Sequence, residues 1–329
     1  MNMYIEKIRK WFIQETVSLK EALTEVEWLS INTYTYFIVQ AIGVTFFVWI
    51  LSTQILSNSP RTWVNFWTIM GMIVSRYLIG MWFVTVWRHR YFSHRSFRLH
   101  PRLLWLEPTI AFICGTDVQR GVADWAATHI KHHKYSDKKE DSHSCKQKGL
   151  AWCHLLWVLK KDEGIDWALI PYMRKVKGIV WVECHQWVAI ISGGAVFSLI
   201  GCYFGVSGYH SFIINFLFSL CAYFTSITIL WHATSLINSA MHLVGEQRYD
   251  TGDESRNNFF CALLTLGEGW HNNHHWAFPS LSTSQKYPGR IKVKASELYW
   301  QGVTRFEKCV DMSGISIWIF IKFGICRPI

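Results

Sequence analysis

From Cys184 to Gly245 the chain carries no charged residue. A helix crosses a bilayer with about 20 apolar residues, so this run is too long for one crossing. Ser207-Gly208-Tyr209-His210 breaks it into two spans, about 187–206 and 212–236. Two more apolar stretches lie upstream, at about 31–55 and 62–87. Half of the residues are hydrophobic and only 17% are charged, against about 25% in soluble domains. The sequence therefore predicts an all-α membrane protein, a single domain over 1–329 with four transmembrane helices.

The net charge is +10, and its placement argues against nucleic acid as a partner. Between Arg88 and Lys177 there are 17 Lys and Arg against nine Asp and Glu. Basic segments beside apolar spans mark the cytoplasmic face. Segments 1–28, 88–180 and 242–329 then lie on that face, with both termini, and contact anionic lipid or an anionic substrate head. The stretch 1–28 reads as polar and amphipathic, not as a signal peptide. Leu103–Cys114 and Ile315–Ile321 are too short to span and read as packed or interfacial. Arg76 interrupts the second span, and an intramembrane charge is costly unless paired or facing protein; the two readings are a pair with Glu107 and a place near a membrane edge or water pocket. Nine scattered Cys form no C-x-x-C pair and suggest no disulfide framework or zinc ribbon.

Of 15 His, nine are ordered. His89 and His94 form H-x4-H. His129, His132 and His133 form H-x-x-H-H, and so do His271, His274 and His275. His242 follows the fourth span. Positions i, i+3 and i+4 share a helix face, so each H-x-x-H-H cluster presents its rings together at the cytoplasmic rim of the bundle. Nine imidazoles exceed the four ligands of structural zinc and predict a dimetal site in a cytoplasmic helical cap; ligand type alone admits iron, zinc or copper. His100, His154, His185 and His210 read as packed core histidines. His143 and His232 read as partners of the ligating rings, because a ligand imidazole needs its other nitrogen held.

The flanking stretches HRYFSHRSF (89–97), DWAATHIKHHKYSDKKEDSHS (124–144), INSAMHLVGEQRYDTGDESRNN (237–258) and LLTLGEGWHNNHH (263–275) resemble the membrane fatty-acid desaturases. Within that family they are most similar to the stearoyl-CoA (delta-9) desaturase-like branch and its bacterial acyl-CoA members. The resemblance covers roughly residues 35–315 and implies that the nine histidines ligate two iron ions, with zinc able to replace them in recombinant protein. It implies that Asn238 approaches one metal through a water and that a bent tunnel beneath the metals takes the acyl chain. It also implies a cis double bond, delta-9 by default, made with oxygen in an acyl-CoA at a bacterial inner membrane. Three features depart from the family. Ala127 and Thr128 stand where an Arg-Asp pair helps to bind CoA. Phe278 to Thr283 lack the Arg that usually follows the third box. Trp82 to Trp87 replace a Gly-rich approach to the first box.

Asp124, Asp137, Asp141, Asp250 and Glu268 are candidates to offset the metal charge. Lys146 and Lys148 are candidates to meet a phosphate-bearing head, and Trp125 to line the site; Trp270 reads as packing. Arg256, Asn257 and Asn258 are candidates to order the loop before the third box or to meet a redox partner. No H-P-G-G heme segment occurs, so electrons are expected from a separate ferredoxin or cytochrome b5 with its reductase. The competing readings are a related di-iron membrane hydroxylase and a non-catalytic metal-binding membrane protein.

Overall fold

The structure is a computed structural model that describes residues 15–56, 60–161, 163–208, 210–276 and 311–328. The segment 278–283, with its departure from the family pattern, lies outside the described residues, as do 1–14 of the amphipathic stretch.

Among the described residues, four helices are long and apolar enough to cross a membrane. They are α1 (Ile31–Leu56), α2 (Pro60–Trp82) with its continuation to Ser93, α6 (Gln186–Phe204) and α7 (Phe212–Asn238). The intervening chain forms β1 (Phe97–Leu99), α3 (Glu107–Gly115), α4 (Val122–Tyr135) and α5 (Lys177–Cys184). After α7 come α8 (Phe259–Leu264), α9 (His271–Trp276), α10 (Met312–Lys322) and β2 (Cys326–Pro328). The all-α expectation needs one small amendment: β1 and β2 pair antiparallel, Phe97 opposite Pro328.

Helix α7 is the central post. Half of its apolar window is buried, against 22% for α1 and α6. Lipid offers no hydrophobic drive between helices, so small residues that let backbones approach do the work. Thr225 Oγ1 reaches the Gly43 carbonyl at 3.2 Å and Thr228 Oγ1 the Val39 carbonyl at 3.4 Å. A Cβ on Gly43 would sit 2.2 Å from Thr228 Oγ1, and one on Gly201 would sit 1.8 Å from Ser219 Oγ. Large apolar side chains such as Ile31, Tyr203 and Ile213 point outward instead, as a lipid-facing surface requires.

Beyond Trp82 the second span changes character and runs as a π-helix over Phe83–Ser93. Its i→i+5 bonding includes His94 N–H to His89 O at 3.0 Å. Helix α10 packs on this turn through Phe320, whose ring lies 5.9 Å from both Trp82 and Trp87. The short C-terminal apolar stretch is therefore packed, as expected.

Three expectations are corrected. Arg76 does not pair with Glu107. Its Nη2 meets Asp117 Oδ1 at 2.8 Å and Thr116 Oγ1 at 3.1 Å, because Asp117 follows α3 into the bundle while Glu107, at its start, accepts the Tyr91 hydroxyl. Cys145 and Cys153 are joined as a disulfide, their Cα atoms 5.1 Å apart. The turn between helices Cys145–Lys148 and Leu150–His154 brings them together, a proximity that the eight-residue spacing does not reveal. The four histidines read as core are not fully buried, and His210 is exposed. His154 instead bonds Ser239 Oγ at 2.9 Å and His232 Nδ1 at 3.1 Å, so His232 faces another histidine outside the nine.

Candidate metal centre

The π-helix accounts for the spacing of the first box. On an α-helix, residues i and i+5 diverge by about 140°. The i→i+5 turn stacks them instead, and the His89 and His94 rings lie 4.7 Å apart.

Helices α4 and α9 carry the other two boxes and face each other. The nine histidines sort into two nests whose donor nitrogens all lie within 4.8 Å of one another. One nest is His89, His94, His129, His133 and His274; the other is His132, His242, His271 and His275. The sorting follows one rule. In each H-x-x-H-H box the i and i+4 rings serve one nest and the i+3 ring crosses to the other. His129 and His133 join the first nest while His132 joins the second. His271 and His275 join the second while His274 joins the first.

Within the first nest the Nε2 separations are 3.0 Å for His89–His274, 2.8 Å for His94–His129, 3.0 Å for His129–His133 and 2.9 Å for His133–His274. In the second, His242 and His271 are 3.2 Å apart. Two nitrogens each about 2.1 Å from one ion are about 3.0 Å apart at a right angle and about 3.4 Å apart in a tetrahedron. The observed separations are short enough for the rings of one nest to share an ion.

Carboxylates fix the other ring nitrogens. His89 Nδ1 meets Glu268 at 2.7 Å, His132 Nδ1 meets Asp141 at 3.0 Å, His242 Nδ1 meets Asp137 at 3.2 Å and His275 Nδ1 meets Asp253 at 2.7 Å. A ring that donates from Nδ1 offers a lone pair at Nε2. Nε2 of His89 and of His242 each faces the Nε2 of another ring in its nest, and Nε2 of His275 is buried with no hydrogen-bond partner among the described residues, so the donor set fits bound metal. Burial, then neighbouring imidazoles, hold His129, His133, His271 and His274 well below the ordinary histidine range, which keeps them neutral. Burial alone would raise the Asp141, Asp137 and Asp253 carboxyls, but their histidine partners hold all three low.

Of the acids expected to offset metal charge, Asp137, Asp141 and Glu268 each hold a ring of the two clusters. Asp124 instead pairs with Arg120 at 2.6 Å. Asp250 accepts from Gly252 N at 3.3 Å, because its loop turns before the site. Sequence reading missed Asp253, three residues on, whose Oδ1 also accepts from Thr251 Oγ1 and Ser255 N. It also missed the two asparagines inside the third box. Asn272 Oδ1 accepts from Arg248 N and Tyr249 N, and Asn273 exchanges bonds with Asn257. Together they staple α9 to the 246–258 loop. Asn257 therefore orders this loop, and Asn258 caps α8 through Cys261 N.

A cavity beside the nests is lined by Gln119, Trp125, Thr128, His129, His143, Trp157, Trp231 and Asn238, among others. Trp125 stacks on His129 with centroids 4.9 Å apart. The ring of His143 packs 4.3 Å from His132, whose Nδ1 is held by Asp141 and not by His143. Trp270 is buried beside Phe259. Lys146 and Lys148 lie farther out, paired with Glu254 at 3.1 Å and Glu25 at 2.6 Å.

Residues 61–286 match the family model described as fatty acid desaturase. The chain is 29% identical over 237 residues to the sn-2 palmitoyl-lipid 9-desaturase of Nostoc sp. (strain 36), covering 70% of this chain and 77% of that protein. It is 35% identical over 212 residues to the sn-1 stearoyl-lipid 9-desaturase of Synechocystis sp. (strain ATCC 27184 / PCC 6803 / Kazusa), covering 64% and 61%. It is 30% identical over 214 residues to the icosanoyl-CoA 5-desaturase of Limnanthes douglasii, covering 65% and 56%. With two clusters of histidines that could hold metal and four membrane-length apolar helices, the chain belongs to the fatty acid desaturase family.

Proposed function

We propose that this chain introduces a cis double bond, at delta-9, into a saturated fatty-acyl chain, using two iron ions. The observation that carries the reading is the pair of histidine nests beside a cavity whose wall they share. The overall change is –CH2–CH2– + O2 + 2 e⁻ + 2 H⁺ → –CH=CH– + 2 H2O. Iron bound in the nests supplies the oxygen-derived oxidant that an unactivated methylene pair requires.

The protein's own part is positioning. His89, His94, His129, His133 and His274 would hold one ion; His132, His242, His271 and His275 would hold the other. Asn238 lines the same cavity as His129 and would approach one ion through a water. Glu268, Asp141, Asp137 and Asp253 fix the ring orientations. Trp125 lies flat against His129 and borders the acyl chain, excluding water from the reacting carbons. Lys146 and Lys148 exchange their carboxylate partners for a phosphate-bearing head. The two electrons come from a separate ferredoxin or cytochrome b5. The chain lies in a bacterial inner membrane with both termini and the cap in the cytoplasm.

The carrier is a CoA thioester or a glycerolipid. The Limnanthes relative supports the former, and the Nostoc and Synechocystis relatives the latter. Ala127 is buried against apolar neighbours and Thr128 lines the cavity, so neither offers a charge to CoA phosphates. That favours a glycerolipid.

The test is expression in a strain lacking unsaturated fatty acids, with a reduced ferredoxin system, followed by double-bond mapping of free, CoA-bound and lipid-bound acyl chains. Cis-9 products support the reading, and the pool in which they first appear identifies the carrier. Hydroxy acids, or unchanged saturated chains, would refute it.

A further inference from the structure

The residue before the first ligand is a fully buried arginine. From its place in the π-helix, Arg88 sends Nη1 to the Arg120 carbonyl at 3.0 Å and to the Gln119 carbonyl at 3.4 Å, and Nη2 to the Cys114 carbonyl. One guanidinium thus ties the end of α3 and the following loop to the turn that bears His89. The planar fork of arginine suits such multipoint capture of carbonyls, and a lysine could hold only part of it.

The loop it holds is strained. Val118 and Arg120 both adopt left-handed backbone, with φ of 57° and 66°, which side-chain-bearing residues rarely do. Strain of this kind persists only where the surroundings over-determine it, and it gathers at working sites. Here Arg88 holds one side of the loop, and Trp231 Nε1 holds the Val118 carbonyl at 2.9 Å on the other. Between the two strained residues, Gln119 is turned inward to Thr234 Oγ1 at 3.1 Å. Gln119, Arg120 and Thr234 all line the cavity beside the nests. The cavity wall and the first metal ligand are therefore referenced to each other through one side chain.

We propose that Arg88 is a positioning residue that sets the register of the acyl chain against the metal centre. It does so by locking the Val118–Arg120 wall to the turn of His89. This inference rests on the desaturase reading for its consequence, the position of the double bond, but not for its structural cause.

The test compares the full-length parent with Arg88→Met, Arg88→Lys and Val118→Gly. Three quantities are read: hydrogen exchange at amides 116–121 in detergent-purified protein, metal content per chain, and double-bond position in cellular fatty acids. Arg88→Met is expected to keep parental metal content, to exchange at 116–121 at least about tenfold faster, and to turn a single positional isomer into a mixture; Arg88→Lys falls between. Val118→Gly, which tolerates the left-handed turn but loosens it, is expected to broaden the products with Arg88 in place, so the inference stays testable if Arg88→Met fails to accumulate. Unchanged exchange in Arg88→Met, a single unchanged isomer in either loosened variant, or loss of metal in parallel with the isomer shift would overturn it. A parent that forms no double bond sinks the desaturase reading alone, and the exchange measurement still decides whether Arg88 locks the wall.

Discussion

Asp253 shows how much a single side chain outside the ligand set contributes. It holds His275 Nδ1 at 2.7 Å and is itself held by Thr251 and Ser255. Loss of such a ring-orienting carboxylate typically weakens metal binding about 10–100-fold. Asp253→Asn is therefore expected to lower metal affinity by that factor in a chelator competition while leaving helix content unchanged; parental affinity would show the contact to be dispensable. The Arg76–Asp117 pair invites a different prediction. Removing one partner of a buried pair strands the other charge and costs about 3–5 kcal/mol. Asp117→Leu should thus lower the thermal midpoint more than the double variant Arg76→Met/Asp117→Leu, and equal losses would deny that the two are coupled. At this scale the sequence exposed the clustered histidines but not their carboxylate partners. The nine His stood out by spacing. Asp253 and Asp117 lie in loops whose partners are far along the chain, and Asp250 and Glu107 offered the same chemistry a few residues away.

At the scale of elements, helix α4 must start at one place to aim the second box. Its first turn is capped from α5, with Ala123 N donating to Glu183 Oε2 at 2.8 Å. Gly121 leaves room for that carboxylate, since a Cβ there would lie 1.9 Å from Glu183 Oε1. Gly121→Ala is expected to lower the thermal midpoint by several degrees, and an unchanged midpoint would deny the close approach. Burial pushes the Glu183 carboxyl from 4.5 up to about 7, with Asp124 beside it adding to the effect. A carboxyl raised on folding favours the folded state fully below pH 4.5, and that contribution is lost as pH rises through 7. The loss amounts to about 3 kcal/mol. Glu183→Gln keeps an acceptor for Ala123 N and should flatten the pH dependence of thermal stability between about pH 5 and 8. A parental slope in that variant would assign the dependence elsewhere. The spans were legible because apolar length alone specifies them. The π-helix was not, because H-x4-H is compatible with any turn until tertiary contacts, here α10 through Phe320, select one.

Across the described residues, the fold packs the other membrane-length helices around α7 and sets the two histidine clusters at the end of that bundle. The clustered histidines come from the ends of two spans, His89 and His94 from the second and His242 beyond the fourth, and from two further helices. That arrangement follows from the sequence pattern, since charge-free spans, basic flanks and histidine boxes all point to one face. What the pattern could not give is the division of labour between the nests, because helical spacing places i, i+3 and i+4 together and is silent about which ring crosses over. The full chain, purified and loaded anaerobically with ferrous iron, is expected to hold about two irons. The variants His94→Ala and His271→Ala, one from each nest, are each expected to retain about one. Elemental analysis of the three proteins decides the matter: a parent that saturates at one ion, or two variants that both keep two, would contradict it.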